Sequence, residues 1–220
     1  MAVRARERLT KDRILDAALK IMDAEGLDAV TMRRVGRELG VEAMSLYNHV
    51  EDKEAILDGV CERVLRKFEF PPPADDWTQE ARALARSFRK VLRSHPNVIT
   101  LFSQHEGRML SHDAFRPMEA ALACLRRAGL SDHETAQAYR MIGGFIFGFV
   151  LMEVGQQFGA DVPDGGLPPD RLAQMLPADE FPTTIELLPE LANCVPDADF
   201  EYGLDLMIRG LRTKSSEPAD

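Results

Sequence analysis

Side chains that donate hydrogen bonds cluster between Thr31 and Lys53. They carry guanidinium, hydroxyl, amide, imidazole and ammonium groups, on Arg33, Ser45, Tyr47, Asn48, His49 and Lys53. Groups of these kinds bind phosphate oxygens and the edges of nucleic-acid bases. The sequence contains no phosphate-binding glycine loop, no nucleophile motif and no pair of metal ligands at catalytic spacing. We therefore expect a recognition surface and not the active site of an enzyme.

A helix-turn-helix is the element that would position these donors. Thr31 can cap a short helix that ends at Gly40, where glycine adopts the left-handed turn conformation without steric cost. A second short helix is predicted over 42–49, and Gly36 leaves room for the two helices to cross closely. Apolar residues occupy the positions that face inward in such a motif, namely Val35, Leu39, Val41 and Leu46. The alternative is an ordinary helical hairpin in a protein core.

A helix presented in this way fits the major groove of B-DNA. Ser45 and Tyr47 would reach phosphates, whereas Asn48 and His49 would bond to phosphates or base edges. Lys53 would add a second phosphate contact, together with the amides at the start of its helix. The predicted partner of this surface is double-stranded DNA.

Helical periodicity extends through most of the chain, and no useful length alternates like a β-strand. Three prolines at 71–73 interrupt the pattern, because proline cannot continue a helix. We predict an all-α fold with a three-helix helix-turn-helix domain over 8–68 and a larger helical domain over 77–212. Predicted N-caps are Thr10, Thr31 and Asp52, and the later helices are predicted over 77–94, 115–128, 132–158 and 199–212. Residues 161–201 are expected to form a long, irregular, proline-rich acidic connection with one or two short helices.

Composition and charge narrow the class of protein. The chain is 45% hydrophobic and 29% charged, which is ordinary for a globular protein and excludes a wholly disordered chain or a fibre. Residues 1–68 are neutral overall and begin with a basic arm, so the net charge of −9 arises beyond them. The apolar run from Met141 to Met152 is too short to span a bilayer. The three cysteines are far apart and predict neither a disulfide framework nor a zinc site, which fits a cytoplasmic protein.

The stretch from Thr10 to Val60 resembles the DNA-binding domain of tetracycline-repressor-family transcriptional regulators. The run GVEAMSLYNHV, from Gly40 to Val50, is highly characteristic of that domain. Three further segments resemble the C-terminal domain of the tetracycline repressor, namely Ser94–His95, Arg126–Leu130 and Phe200–Leu211. The resemblance implies an all-helical homodimer whose C-terminal domain binds a small effector, and effector binding would release the DNA.

The same resemblance assigns DNA contacts to eight positions, Arg33, Ala43, Met44, Ser45, Tyr47, Asn48, His49 and Lys53. Ala43 and Met44 depart from the repressor's pattern, in which one of the two carries a side-chain amide. They can pack against a thymine methyl group but cannot form a bidentate bond to a base. We therefore expect a different operator sequence.

The effector site departs further from the pattern. Phe102 stands where the tetracycline repressor has a histidine that binds the drug-chelated magnesium, and Met152 stands where it has a supporting glutamate. The expected effector pocket consists of Leu84, Phe88, Phe102, Met109, Phe145, Phe149 and Met152, although each of these also fits a plain core role. Because phenylalanine and methionine are not magnesium ligands, we predict a mostly apolar effector and no metal or cofactor.

Two classes of function remain. The first is a DNA-binding transcriptional regulator, a repressor that a small apolar effector releases from a palindromic operator. The alternative is a helical small-molecule-binding protein or enzyme that shares the fold without operator binding, and the donors around Tyr47 favour the first class. A two-fold operator requires a homodimer, for which the candidate contacts are Gly144, Gly148, Leu204, Ile208 and Leu211.

Overall fold

The computed structural model describes residues 8–104, 112–158 and 169–214. All regular secondary structure in these ranges is helical, which confirms the predicted all-α fold. The chain packs as two compact units that divide between Arg127 and Ala128. The N-terminal one is unit 1 and the C-terminal one is unit 2.

Within the described residues, unit 1 contains the two helices of the predicted helix-turn-helix and five further α-helices. Its helices are α1 (Lys11–Glu25), α2 (Met32–Leu39), α3 (Ala43–Leu46), α4 (Lys53–Leu65), α5 (Trp77–Ser94), α6 (Asn97–Gln104) and α7 (His112–Arg126), with a 3-10 turn at Leu27–Ala29. Helix α1 packs against α2, α4 and α6, and α7 packs against both α4 and α5. The segment 66–76 between α4 and α5 contains no helix, as its prolines predict.

Side-chain caps begin three of these helices at the predicted positions. Thr10, Thr31 and Asp52 each accept a hydrogen bond from the backbone amide three residues further on, at 3.3, 3.1 and 2.8 Å. Each bond satisfies an amide that has no partner within its own helix. The starts of α1, α2 and α4 are therefore determined by local sequence.

The core of unit 1 includes the interface between α1 and α4. Buried apolar residues on the two helices include Ile14, Ala18, Ile21, Met22, Ile56, Leu57, Val60 and Val64. Gly59 permits a close approach, because a Cβ at this position would lie 2.6 Å from Cδ2 of Leu15. Arg63 of α4 also pairs with Asp12 and Asp16 of α1, at 3.1 and 2.7 Å. Apolar burial and these ion pairs together hold α4 along α1.

Helices α2 and α3 cross closely at Gly36, as the sequence predicts. A Cβ on Gly36 would lie 3.0 Å from the carbonyl oxygen of Val41 and 3.2 Å from the amide nitrogen of Ala43. Both atoms belong to the backbone, so they cannot move aside as the end of a side chain can. Gly40 ends α2 with a φ of 67°, in the left-handed region that favours glycine.

Four charged residues hold α2 on α1. Arg34 pairs with Glu25 at 2.5 Å and with Glu38 at 2.9 Å, and Lys20 pairs with Glu38 at 2.8 Å. Hydrogen bonds from Lys20 and Arg34 lower the pKa of Glu38 to about 2. The hydrogen bond from Arg34 also lowers the pKa of Glu25. Both carboxylates therefore stay ionised and paired at neutral and mildly acidic pH.

Unit 2 consists of α8 (Asp132–Phe158), α9 (Pro169–Met175), α10 (Pro182–Ala192) and α11 (Pro196–Lys214) within the described ranges. A capping box begins α8: the amide of Glu134 donates to the hydroxyl of Ser131 at 3.3 Å, and the amide of Ser131 donates to the carboxylate of Glu134 at 3.0 Å. Helix α11 packs on α8 through Phe200, whose ring centre lies 5.3 Å from that of Phe145 and 5.4 Å from that of Phe149.

Three helix boundaries differ from the sequence-based prediction. The periodicity does not predict α6, because Pro96 reads as a stop; Pro96 instead directly precedes the helix, where a missing amide costs little. Helix α11 begins at Pro196 and not at 199 for the same reason. Helix α7 begins at residue 112 and not at 115. The described part of the 161–201 connection holds two short helices, α9 and α10, which agrees with the expectation of one or two.

Helix α8 is longer and more apolar than its unbroken apolar run indicates. Residues Asp132–Val154 reach a hydropathy of 1.2, and by length and composition alone this segment could cross a membrane. The prediction from Met141 to Met152 counted only consecutive apolar residues, whereas the helix continues on both sides of them. Only 22% of its apolar window is buried in the chain, so α8 presents a large apolar surface.

Replacement of Gly36 by alanine should destabilise the protein by about 1–3 kcal/mol, because the added methyl group presses on backbone atoms of α3. Urea denaturation followed by circular dichroism measures the change. Gly143→Ala in α8 is the matched control, since a Cβ there has no other atom within 4 Å. The control should be neutral or slightly stabilising. Equal losses in the two variants would contradict the close crossing of α2 and α3.

Candidate functional site

The packing of α2 determines which of its arginines are available to a partner. Gly36 faces α3, and Arg34 is bound to carboxylates on the side that faces α1. Arg33 and Arg37, one turn apart, are exposed. Neither forms an ion pair within the part of the chain that the structure describes. Both guanidinium groups are therefore free to bind an anion.

Arg37 is a candidate that the sequence reasoning missed. Its spacing of four residues from Arg33 places the two side chains on the same side of α2. This signal was present in the sequence, but the family resemblance alone did not select the position.

Helix α3 is a single turn anchored by one buried side chain. Leu46 is fully buried, whereas Met44 is 72% exposed and Tyr47 is 48% exposed. Ala43 and Ser45 are half-buried. Met44 thus presents its thioether and methylene groups outward, in a position to contact an apolar group such as a thymine methyl.

The helix predicted over 42–49 ends early, and Tyr47, Asn48 and His49 form a turn. The carbonyl oxygen of Leu46 accepts hydrogen bonds from the amides of His49 and Val50, at 2.9 and 3.1 Å. Val50 is buried and closes the turn. Three successive side chains on a helix would spread around its circumference, whereas here Tyr47, Asn48 and His49 are all exposed. The turn therefore increases the number of donors available to a partner.

Lys53 is the first residue of α4 and is half-buried. Asp52 caps the amide of Ala55, so the start of this helix is ordered. The positive end of the helix dipole and the lysine ammonium group together favour a phosphate.

In unit 1, one predicted effector residue, Phe88, belongs to an aromatic cluster with Phe68 and Phe70. The ring centre of Phe68 lies 4.8 Å from that of Phe70 and 6.4 Å from that of Phe88, and Arg116 lies over the ring of Phe70 at 5.2 Å. Leu84 is buried, and Phe88 and Phe102 are half-buried. Met109 lies outside the described residues.

In unit 2, the predicted effector residues differ in environment. Phe145 and Phe149 are half-buried and contact Phe200, so the structure places them in the packing between α8 and α11. Met152 is 68% exposed and is not part of that packing. The assignment of these residues to an effector stays a prediction.

Two family models match the chain, one on each side of residues 61–69. The model described as "Bacterial regulatory proteins, tetR family" matches residues 14–60, and the model described as "Tetracyclin repressor-like, C-terminal domain" matches residues 70–215. The chain belongs to the tetracycline repressor family.

Individual relatives of the family agree with this assignment. The HTH-type transcriptional repressor DrrR1 of Streptomyces coeruleorubidus is 33% identical, over 92% of this chain and 77% of that protein. The crystal structure of apo ActR from Streptomyces coelicolor is 32% identical and matches with a TM-score of 0.79, over 99% of this chain and 100% of that chain. The structure of ActR in complex with actinorhodin is 31% identical and also has a TM-score of 0.79, over 96% of this chain and 100% of that chain.

Membership of the family decides between the two classes of function. The protein is a ligand-responsive, DNA-binding transcriptional repressor and not an enzyme. This confirms the prediction of a regulator over the alternative of a carrier or enzyme that only shares the fold.

Lys53→Ala and Arg37→Ala should each weaken DNA binding to a similar extent on every sequence, because both are assigned to phosphates. Each should also reduce the slope of log affinity against log salt concentration by about one. Both effects are measured by fluorescence anisotropy over a series of salt concentrations. The labelled fragment is the DNA directly upstream of the protein's own gene. Lys90→Ala is the matched control, since Lys90 pairs with Glu69 at 2.6 Å on unit 1. An unchanged slope in the two variants would refute their assignment to phosphates.

Proposed function

We propose that the protein binds a near-palindromic operator as a homodimer and is released from it by a mostly apolar small molecule, without a metal. Operator contacts are assigned to Arg33, Arg37, Ala43, Met44, Ser45, Tyr47, Asn48, His49 and Lys53. The observation that carries the proposal is the run of exposed donors around α3, anchored by buried Leu46. The candidate site for the small molecule is the aromatic cluster of Phe68, Phe70 and Phe88, which begins after the end of α4.

The proposal also assigns each function to a part of the chain. We assign DNA binding to residues 8–68 and effector binding with dimerisation to residues 77–212. The two family models support this assignment, because the first ends before the helix-free segment 66–76 and the second begins within it. A repressor that binds chromosomal or plasmid DNA in a bacterium works in the cytoplasm.

The apolar surface of α8 supports a dimer interface. Exposed residues on one side of the helix include Met141, Gly144, Gly148 and Leu151. A Cβ on either glycine would meet no other atom within 4 Å, so this side of α8 offers room for a second helix. Helix α11 exposes a similar stripe, with Tyr202 70% exposed and Leu206 53% exposed. We assign these two stripes to contacts with a second copy of the chain.

Two of the dimer contacts expected from the sequence are incorrect. Leu204 and Ile208 are 0% and 1% exposed, because they face inward in the single chain. The helical periodicity of α11 identified its apolar side but did not distinguish the side that packs within the protomer from the side left exposed. Leu206, two residues away from each, lies on the exposed side.

Leu206→Asp should convert the dimer into a monomer of 24.6 kDa and abolish binding to the palindrome, with the helical content unchanged. Ile208→Asp should instead lower the unfolding temperature sharply, because it buries an unpaired charge. Light scattering and thermal unfolding separate the two effects. Phe115→Asp is the control, since Phe115 is comparably exposed but lies on α7 and not on the exposed stripes of α8 and α11. A Leu206→Asp variant that stays dimeric would exclude this surface of α11 from the interface.

The chemistry around Phe102 supports an apolar effector. Phe102 is half-buried, and neither it nor the aromatic cluster of Phe68, Phe70 and Phe88 offers an oxygen or imidazole ligand to magnesium. Among the residues that the structure describes, no three His, Cys, Asp or Glu side chains are grouped to hold a metal ion. Aromatic rings instead provide large surfaces for a flat hydrophobic molecule. ActR, which binds actinorhodin, shows that a similar chain binds a small molecule other than tetracycline.

Actinorhodin, used as an aromatic probe, should release the protein from operator DNA equally well with and without EDTA. Phe102→Ala should raise the probe concentration needed for release by about tenfold or more, because a buried phenylalanine contributes about 1.5–3 kcal/mol. Phe115→Ala, at an exposed position of unit 1, is the control. Anisotropy of labelled operator DNA measures the release. Release by tetracycline that disappears on addition of EDTA would show that the effector is a magnesium chelate after all.

A further inference from the structure

Three polar side chains connect three elements of unit 1. Nδ1 of His95 lies 2.9 Å from Oδ2 of Asp23, near the end of α1. Nε2 of His95 lies 2.7 Å from Nζ of Lys67, which follows α4. His95 itself is buried at the turn between α5 and α6. These three residues form the relay.

The partners of His95 determine where its proton lies. A lysine ammonium group can only donate, so Nε2 must accept the hydrogen bond from Lys67. Nδ1 then carries the proton and donates a hydrogen bond to the carboxylate of Asp23. The arrangement therefore requires a neutral His95. Asn97 reinforces the same junction, because its amide donates to the carbonyl oxygen of Met22 at 2.8 Å.

Other charged groups nearby are engaged elsewhere or point to solvent. Asp23 of α1 and Lys67 after α4 are the charged side chains that contact the ring within the described residues. On the elements packed here, Arg63 pairs with Asp12 and Asp16, Lys20 pairs with Glu38, and Asp28 of the 3-10 turn and Arg93 of α5 are exposed. The neutral ring of His95 thus lies between one carboxylate and one ammonium group.

Protonation of His95 would break its hydrogen bond with Lys67 and keep its hydrogen bond with Asp23. A second proton on Nε2 would face the ammonium group of Lys67 at hydrogen-bond distance, and two like charges repel there. Lys67 is exposed and can turn into solvent. The hydrogen bond to Asp23 persists, because Nδ1 carries a proton in both the neutral and the charged ring and the carboxylate accepts a hydrogen bond from either. The end of α4 would therefore lose its side-chain bond to the α5–α6 turn.

We propose that the relay is a proton-sensitive tether in which neutral His95 holds the C-terminal end of α4 and protonated His95 releases it. The proposal rests on operator binding by the surface that includes Lys53, at the other end of α4. Release of the end of α4 lets the protein without DNA occupy more conformations. The fraction of molecules in the conformation that binds DNA therefore falls. Acidification should therefore weaken operator binding through His95, by about fivefold for one lost hydrogen bond.

The test uses His49→Gln as the starting protein, because protonation of His49 at the DNA surface would strengthen binding and mask the effect. Operator affinity of this variant should be about fivefold lower at about pH 5.5 than at about pH 8. With Lys67→Met added, the affinity should already be about fivefold lower at about pH 8 and should not fall further. Lys90→Met, at another exposed lysine, should leave the fall intact.

Nuclear magnetic resonance of ¹⁵N-labelled histidine supplies a readout that is independent of DNA. His95 should show the Nδ1–H tautomer at about pH 8. An Nε2–H tautomer there, or an equal fall in affinity with and without Lys67, would overturn the relay. If no variant binds operator DNA at any pH, the proposed function fails, and the tautomer alone decides whether the relay exists.

Discussion

The DNA-binding surface depends on the close crossing of α2 and α3 at Gly36. Backbone atoms of Val41 and Ala43 occupy the space that any side chain at this position would need. With α3 held this close to α2, Leu46 is fully buried. That one buried residue orients a helix of only four residues. A helix so short has almost no stability of its own, so tertiary packing must position it. Met44 and Tyr47 are exposed because Leu46 is buried.

Charge pairing decides which basic residues remain available for DNA. The network with Glu25 and Glu38 engages Arg34 and Lys20 and holds α2 on α1. Arg33 and Arg37 are exposed and form no ion pair with the network, and the charge of Arg37 adds to the lowering of the pKa of Glu25 by Arg34. One short helix therefore uses its arginines in two ways, for stability on one side and for recognition on the other. This explains how a domain with no net charge offers a basic surface to phosphates.

Features determined by local sequence were predictable, and features determined by tertiary contacts were not. The caps at Thr10, Thr31 and Asp52 and the turn at Gly40 each depend on a few neighbouring residues, and the structure has them where the sequence places them. The early end of α3 and the inward orientation of Ile208 depend on what packs against them. Periodicity identifies an apolar side of a helix, but it does not tell whether the same chain or a second copy covers that side.

Helix α4 is the element through which the two proposed sites of unit 1 can influence each other. Its first residue, Lys53, lies beside the donors of the DNA surface, and the aromatic cluster begins at Phe68, three residues beyond its end. The helix is 13 residues long, or about 20 Å, so the two sites lie at opposite ends of one continuous hydrogen-bonded element. On the proposed function, a ligand that displaces Phe68 would therefore also displace Lys53. The coupling requires no contact between effector and DNA, only that the effector binds the two positions of α4 with different affinity.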